Sequence, residues 1–290
     1  MNFSIRYRTS YAYSGPVTEN MNTLRVRPAA TSSQRADEFS VRVTPEARLH
    51  QHVDYFGTHV HEFEVVRPHD ALAIDIRARV VTTPPGEPPD PTWDALESPA
   101  YERAGGEFLL DIGDRADADL TGLASETRDA GPLATLTRLV DLIPDTFSYQ
   151  RGITYVGSTI ADLLEARAGV CQDFAHLGLV LLRRNGIAAR YCSGYLFSAA
   201  PDEGPESVEV DTHAWIEALL PDAGTRGEPA WVGVDPTNRQ FAGERHVKIG
   251  HGRSYSDVPP IKGVYRGTCA GQMDTTVTMT RLDPAESATT

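Results

Sequence analysis

Gly169-Val170-Cys171-Gln172-Asp173-Phe174-Ala175-His176-Leu177-Gly178-Leu179-Val180-Leu181-Leu182-Arg183-Arg184-Asn185-Gly186 is the stretch from which the rest of this chain can be read. Phe174, Ala175, Leu177, Leu179, Val180, Leu181 and Leu182 are apolar on all sides of a helix, which describes a buried helix and not a surface one. Arg183 and Arg184 supply the basic last turn, and Gly186 supplies the stop. Ile187 to Tyr195 then reads as a strand that continues to Phe197. Cys171 falls at the helix start, where unpaired N–H groups and the positive end of the dipole favour thiolate over thiol. A free cysteine is also a common buried structural residue, and this stretch alone does not choose between the two.

Outward from the helix, the neighbouring segments take shape in order. Leu133, Leu136, Leu139, Val140 and Ile143 have helical spacing, and Pro144 is expected to stop that helix. Phe147 to Tyr155 reads as irregular or extended. Ser158 is the expected N-cap of a helix containing Ile160, Leu163 and Leu164, which ends near Gly169. The acidic stretch 111–129 shows only weak patterning. Beyond the Cys helix, 198–210 reads as a mobile loop, Thr212 to Leu220 as a strand, 221–229 as a turn, and Trp231 to Val234 as a strand ended by Asp235-Pro236. A late strand is expected over 275–282, followed by a frayed end. If the strands holding His213 and Asp235 are antiparallel neighbours, those two side chains meet. The amino end of the Cys helix could then close against them. A cysteine nucleophile needs a base within hydrogen-bond reach, and the base needs an orienting partner.

Four motifs now resemble one family in the right order. Gly169-Val170-Cys171-Gln172-Asp173-Phe174-Ala175-His176, Ala188-Ala189-Arg190-Tyr191-Cys192-Ser193-Gly194-Tyr195, Asp211-Thr212-His213-Ala214-Trp215 and Val234-Asp235-Pro236-Thr237-Asn238 resemble the bacterial transglutaminase-like proteins, within the papain-like cysteine hydrolase and acyltransferase superfamily. The resemblance is strongest over 147–238. It implies a Cys171–His213–Asp235 triad and acyl transfer through a thioester. It implies an oxyanion site with the Cys171 N–H as first donor, a second donor among Tyr149, Gln150 and Tyr155, and Gln172 lining the site. The family includes peptidases, amidases and cross-linking transferases. The expectation here is hydrolysis of peptide or amide bonds in a peptide or protein substrate. An amine-accepting transglutaminase using a small amine acceptor is the enzyme alternative, and a noncatalytic binding module or scaffold is the alternative from another class. Asp173 is expected to cap the helix. His176 reads either as a helix histidine satisfied by hydrogen bonds or as a ligand paired with Asp173. Cys192 reads as an inert buried thiol and Trp215 as core.

The amino-terminal third alternates polar and apolar residues. Phe3 to Tyr7 continues through Tyr13 to an expected turn at Gly15-Pro16. Leu24 and Val26, Phe39 to Val43, the two halves of 53–66 about Gly57, and Leu72 to Val80 follow. These describe a β-sandwich-like domain over 1–84, and Asp54-Tyr55-Phe56-Gly57 with Arg67-Pro68-His69 resembles the amino-terminal domain of the same family. The Pro-rich segment 85–92 is the expected linker, and 93–290 the expected catalytic core, giving an α+β protein. His50, His52, His59 and His61 form two His-x-His pairs that a hairpin could gather for a metal. Exposed or hydrogen-bonded histidines are the stronger reading, so no metal is expected.

Composition narrows the partners. The 290 residues carry a formal net charge of −13, which repels nucleic acid and anionic membrane surfaces. Three cysteines in so long a chain are no disulfide framework, and with no apolar run of membrane-spanning length they point to a reducing, cytoplasmic setting. No cofactor is expected, because cysteine-based acyl transfer needs none.

Overall fold

The computed structural model describes residues 1–110, 118–155, 157–198, 207–222 and 229–282. Five strands come first: β1 (Asn2–Leu24), β2 (Gln34–Thr44), β3 (His50–Val53), β4 (His59–Val65) and β5 (His69–Thr82). An irregular proline-rich segment leads into α1 (Pro99–Gly105), α2 (Ala118–Thr127), α3 (Pro132–Thr146), β6 (Ser148–Tyr149), α4 (Ile160–Ala166), β7 (Ala168–Gly169) and α5 (Cys171–Arg184). There follow β8 (Ala189–Leu196), β9 (Ser207–Val210), β10 (Thr212–Leu220), β11 (Ala230–Asp235), β12 (Gln240–Phe241), β13 (His246–Gly252), β14 (Ile261–Arg266) and β15 (Gly271–Arg281).

The amino-terminal sheet is built around β1. Phe3, Ile5 and Tyr7 alternate inward, and β1 pairs antiparallel with β5 on one side and β15 on the other. The expected turn at Gly15-Pro16 does not form. The strand runs on to Leu24, and the register against β5 shifts between Ala12 and Val17. Pro16, which cannot donate to a ladder, sits inside that irregularity. Beyond it, β1 changes neighbours and pairs with β4 and β14, so one strand serves both halves of a curled, sandwich-like sheet.

The late strand lies elsewhere than in the expected unit 93–290. β15 lies along β1 from Phe3↔Arg281 to Tyr13↔Gly271, so the carboxyl-terminal segment completes the amino-terminal sheet. An open edge on β1 would leave a row of backbone groups unpaired, and β15 fills it while burying Val277 and Met279 in the same core. β9 extends this sheet beyond β15. The chain therefore leaves the amino-terminal sheet at β9 and enters a second sheet at β10 within two residues.

The second sheet has the order β12-β11-β10-β8-β13. α5 packs on it as the all-round apolar pattern requires, with Phe174, Leu177, Leu181 and Leu182 buried against Ile216, Ala218 and Tyr191. Gly178 brings the helix down onto β10: a Cβ there would meet Ile216 Cδ1 at 2.3 Å. α2, α3 and α4 share this core with it. Three local expectations change. Pro144 lies in the last turn of α3, which continues to Thr146. Thr159, not Ser158, caps α4: its hydroxyl accepts the Asp162 N–H, while the Ser158 hydroxyl accepts the Tyr155 N–H. The weakly patterned acidic stretch contains α2, whose buried face is little more than Leu120 and Ala124. Of the expected loop 198–210, residues 199–206 lie outside the described residues and 207–210 form β9. Residues 223–228 of the expected turn and the expected frayed end from 283 also lie outside them.

The hairpin of β3 and β4 separates the two histidine pairs. His50 faces Glu62 and His52 faces Val60, whereas His61 faces Gln51 and His59 faces Val53. Directly opposed residues share a face, so the pairs lie on opposite faces of the ribbon. The four imidazoles do not gather.

Gly194 is the tightest glycine of the second sheet. A Cβ there would lie 2.1 Å from the Val247 carbonyl and 2.6 Å from the Trp215 ring. Gly194→Ala should therefore lower the free energy of unfolding by about 1–3 kcal/mol in a urea titration, against no more than a few tenths for Gly243→Ala, where a Cβ meets nothing within 4 Å.

Candidate active site

Cys171 reaches the surface through a short relay. β6 and β7 pair in parallel, Ser148 with Ala168 and Tyr149 with Gly169, and this fixes the approach to α5. Asp173, in the first turn, accepts the Val170 N–H at 2.8 Å and the Thr154 hydroxyl at 2.6 Å. It is the helix cap expected of it. Gly169 permits the approach, since a Cβ there would lie 2.8 Å from the Asp173 carboxylate. Cys171 is left as the first helical residue, half-buried, with N–H groups behind it that the helix gives no carbonyl partner.

His213 and Asp235 meet as antiparallel neighbours should. β10 pairs with β11 so that Ile216 opposes Val234, which sets Asp235 beside the start of β10. His213 Nε2 lies 2.8 Å from Asp235 Oδ2, and His213 and Cys171 line the same cleft. Burial works against a charged His213. The hydrogen bond to Asp235 and the nearby Asp235 and Cys171 charges outweigh it and push its pKa up to about 10. Burial likewise opposes ionisation of Asp235, but hydrogen bonds from His213 and His246 hold its carboxyl well below the usual carboxylate range.

Asp235 is fully buried and fully engaged. Oδ1 accepts the N–H groups of Thr237 and Asn238 at 3.1 and 3.3 Å. Oδ2 accepts from Asn238 Nδ2 at 2.8 Å and from His246 Nε2 at 3.0 Å as well as from His213. His246, on β13, is the site residue that sequence reasoning missed. His246 and Lys248 look like outward polar positions between Val247 and Ile249, yet all four are buried. Trp215 walls the site, near-parallel to His213 at 6.0 Å and edge-on to His246 at 5.3 Å. Ligand-type atoms of His213, Asp235 and His246 lie within 4.8 Å of one another, but both imidazoles already sit at direct hydrogen-bonding distance from the carboxylate.

The other expected site residues spread out. Tyr149 lines the cleft beside Cys171 and carries Arg151 next to it. Gln150 spends its N–H on the Gly169 carbonyl at 2.9 Å. Tyr155 is 76% exposed and borders no part of the cleft, and Gln172 is half-buried next to Cys171 without lining it. His176 accepts the Tyr255 N–H at 3.1 Å, and burial pulls its pKa down to about 4, so it is a satisfied histidine. Cys192 is fully buried, and burial with the nearby Glu217 charge pushes its thiol far up. The cleft over Cys171 and His213 has a volume of about 480 Å³. Its far wall is Glu209 to Thr212, the crossing from β9 to β10, and an Arg151–Asp211 ion pair at 2.5 Å links its two sides.

Comparison with known proteins gives the family and the fold. Residues 3–81 match the bacterial transglutaminase-like N-terminal region, and residues 121–236 match the transglutaminase-like superfamily. An uncharacterised protein of Mycobacterium leprae is 34% identical over 283 residues, covering 95% of this chain and 97% of that protein. A protein-glutamine gamma-glutamyltransferase of Pseudomonas aeruginosa is 30% identical over 158 residues, 50% of this chain and 23% of that protein. A crystal structure from Cytophaga hutchinsonii, described as a candidate cysteine protease, superposes with a TM-score of 0.73 at 24% identity over 98% of this chain and 92% of its own. The chain belongs to the bacterial transglutaminase-like family, with that family's amino-terminal region ahead of its core.

The raised pKa of His213 has a consequence for stability. Its stabilising pairing with Asp235 is fully present below its ordinary value near 6.5 and is lost as pH rises through about 10. The gap in melting temperature between the wild type and Asp235→Asn should therefore be widest near pH 6.5 and shrink towards pH 10. A gap that stays constant over that range contradicts the assignment.

Proposed function

We propose that this protein hydrolyses peptide or amide bonds in a peptide or protein substrate through a thioester on Cys171. The observation that carries the reading is the hydrogen bond between His213 and a buried Asp235, with Cys171 beside His213 in one open cleft. The Cys171 sulfur attacks the carbonyl carbon, and its proton resides on His213. His213 gives that proton to the departing amine as the C–N bond breaks. Water then loses a proton to His213, attacks the thioester, and releases the acid and the free thiol. Asp235 holds the imidazole in the tautomer that presents its other nitrogen to sulfur. The Cys171 N–H is the first oxyanion donor, and Tyr149 is the one of the three upstream candidates that lines the cleft.

A second reading has its own support. The Pseudomonas aeruginosa relative is a protein-glutamine gamma-glutamyltransferase, which favours an amine as acceptor. The open cleft favours water, which reaches a half-buried cysteine without any carrier. No helix among the described residues is long and apolar enough to cross a membrane. The three cysteines are all unpaired, which favours a reducing compartment, so we place the activity in the cytoplasm.

Two measurements test the proposal. Cys171→Ala and His213→Ala should each lower kcat/KM by at least about 10³-fold, and the double variant should be scarcely worse, because the residues act as a unit. Unchanged turnover in Cys171→Ala removes the assignment. With a glutamine or simple amide peptide, acid product and released amine or ammonia should accumulate without any added primary amine. An absolute requirement for the amine moves the transferase reading ahead.

A further inference from the structure

His246 is held in a way that three-residue chemistry does not require. Its Nε2 lies 3.0 Å from Asp235 Oδ2, and its Nδ1 accepts the Gly243 N–H at 3.1 Å. A ring nitrogen that accepts an amide N–H carries no proton, so the proton sits on Nε2 and points at the carboxylate. The backbone closes the same loop in reverse, with the His246 N–H on the Gly243 carbonyl at 3.0 Å. The residue is buried, and Trp215 packs edge-on against its ring. Each of these contacts fixes the ring in place.

We propose that His246 is a positioning residue: a neutral imidazole that keeps Asp235 ionised and aimed at His213 through the whole reaction. The inference rests on the acyl transfer proposed above. During that cycle His213 alternates between cation and neutral imidazole. Each time it becomes neutral, Asp235 loses its counter-ion while having no access to water. A buried carboxylate in that position takes up a proton unless hydrogen-bond donors hold its charge. Thr237 and Asn238 amides serve Oδ1, whereas His246 and the Asn238 side chain serve Oδ2, the oxygen that faces His213. A cation at 246 would draw the Asp235 charge away from His213, and a neutral donor does not. The nearby charges are committed elsewhere. Lys248, two residues along β13, pairs with Glu217 at 2.5 Å, and Arg151 at the cleft pairs with Asp211. Among the described residues, Cys171 on α5 faces the pair from the His213 side.

The test compares His246→Met and His246→Phe, which cannot donate, with His246→Gln, whose amide N–H can reach the carboxylate. Protein carrying ¹³C at aspartate carboxyls reports the ionisation of Asp235, its signal identified by loss in Asp235→Asn. In either donor-less variant the Asp235 midpoint should rise by about one pH unit or more, and in His246→Gln it should return towards the wild type. In turnover, the donor-less variants should lose about tenfold in kcat with little change in KM, and His246→Gln should recover most of it. An unmoved Asp235 midpoint in a folded donor-less variant overturns the proposal. So does ring ¹⁵N NMR of the wild-type protein that finds His246 doubly protonated at neutral pH, a measurement that needs no variant. Turnover that survives Cys171→Ala would defeat the acyl-transfer reading instead, and would leave the Asp235 titration to be judged separately.

Discussion

A carboxylate with no exposed surface has to be given donors, and the second half of this protein is arranged to give Asp235 five of them. They come from β10, from the turn that follows β11, and from β13. No two neighbouring strands could supply them all, so the site draws on the sheet from β11 across to β13. The cost of burying the charge is offset only while this set is complete. That requirement explains the close packing around it. Gly194 lets Trp215 lie against β13, and Trp215 in turn closes the space between His213 and His246.

A second, largely buried carboxylate ties that sheet to the amino-terminal sheet. Glu217 accepts from Arg190 at 2.6 Å and from Lys248 at 2.5 Å, and these two cations hold its pKa down to about 2 against the effect of burial. The Lys248 backbone is bound on both sides by Gln34 of β2, through its N–H at 2.8 Å and its carbonyl at 2.7 Å. β13 therefore bears His246 for the triad, Lys248 for the buried ion cluster, and the backbone contacts to the first domain. Tyr195, Phe197, Val247 and Ile249 of the second half lie in one core with Phe3, Ile5 and Tyr7. With β14 and β15 returning to β1, the two halves are continuous in both chain and core.

Much of this was legible in the residues because it is local. α5 announces itself by apolar residues on every face and a basic, glycine-stopped end. The order of Cys171, His213 and Asp235, each in its own motif, points to one family. What escaped is what depends on partners distant in sequence. The alternation of Val277 and Met279 marks a strand but does not say that its neighbour is β1, more than 260 residues earlier. Gly15-Pro16 has the composition of a turn, yet pairing with β5 resumes at Val17 and β1 runs through it as one strand. His-x-His pairs share a face only within a strand, and hairpin register decided that the two pairs do not meet. His246 was hidden for the same reason: nothing in Arg245-His246-Val247-Lys248 shows that its polar side chains turn inward to buried carboxylates on other strands.

The central claim is that Cys171 becomes covalently acylated. Intact-mass analysis of protein quenched in acid shortly after mixing with an activated ester or a glutamine peptide measures this directly. The account predicts one added acyl group, located on Cys171 by peptide mapping and absent in Cys171→Ala. The adduct should be lost on further incubation in water. It should accumulate more slowly in His213→Ala, where the base is missing. Turnover without any such adduct, or an adduct that persists in Cys171→Ala, would contradict it.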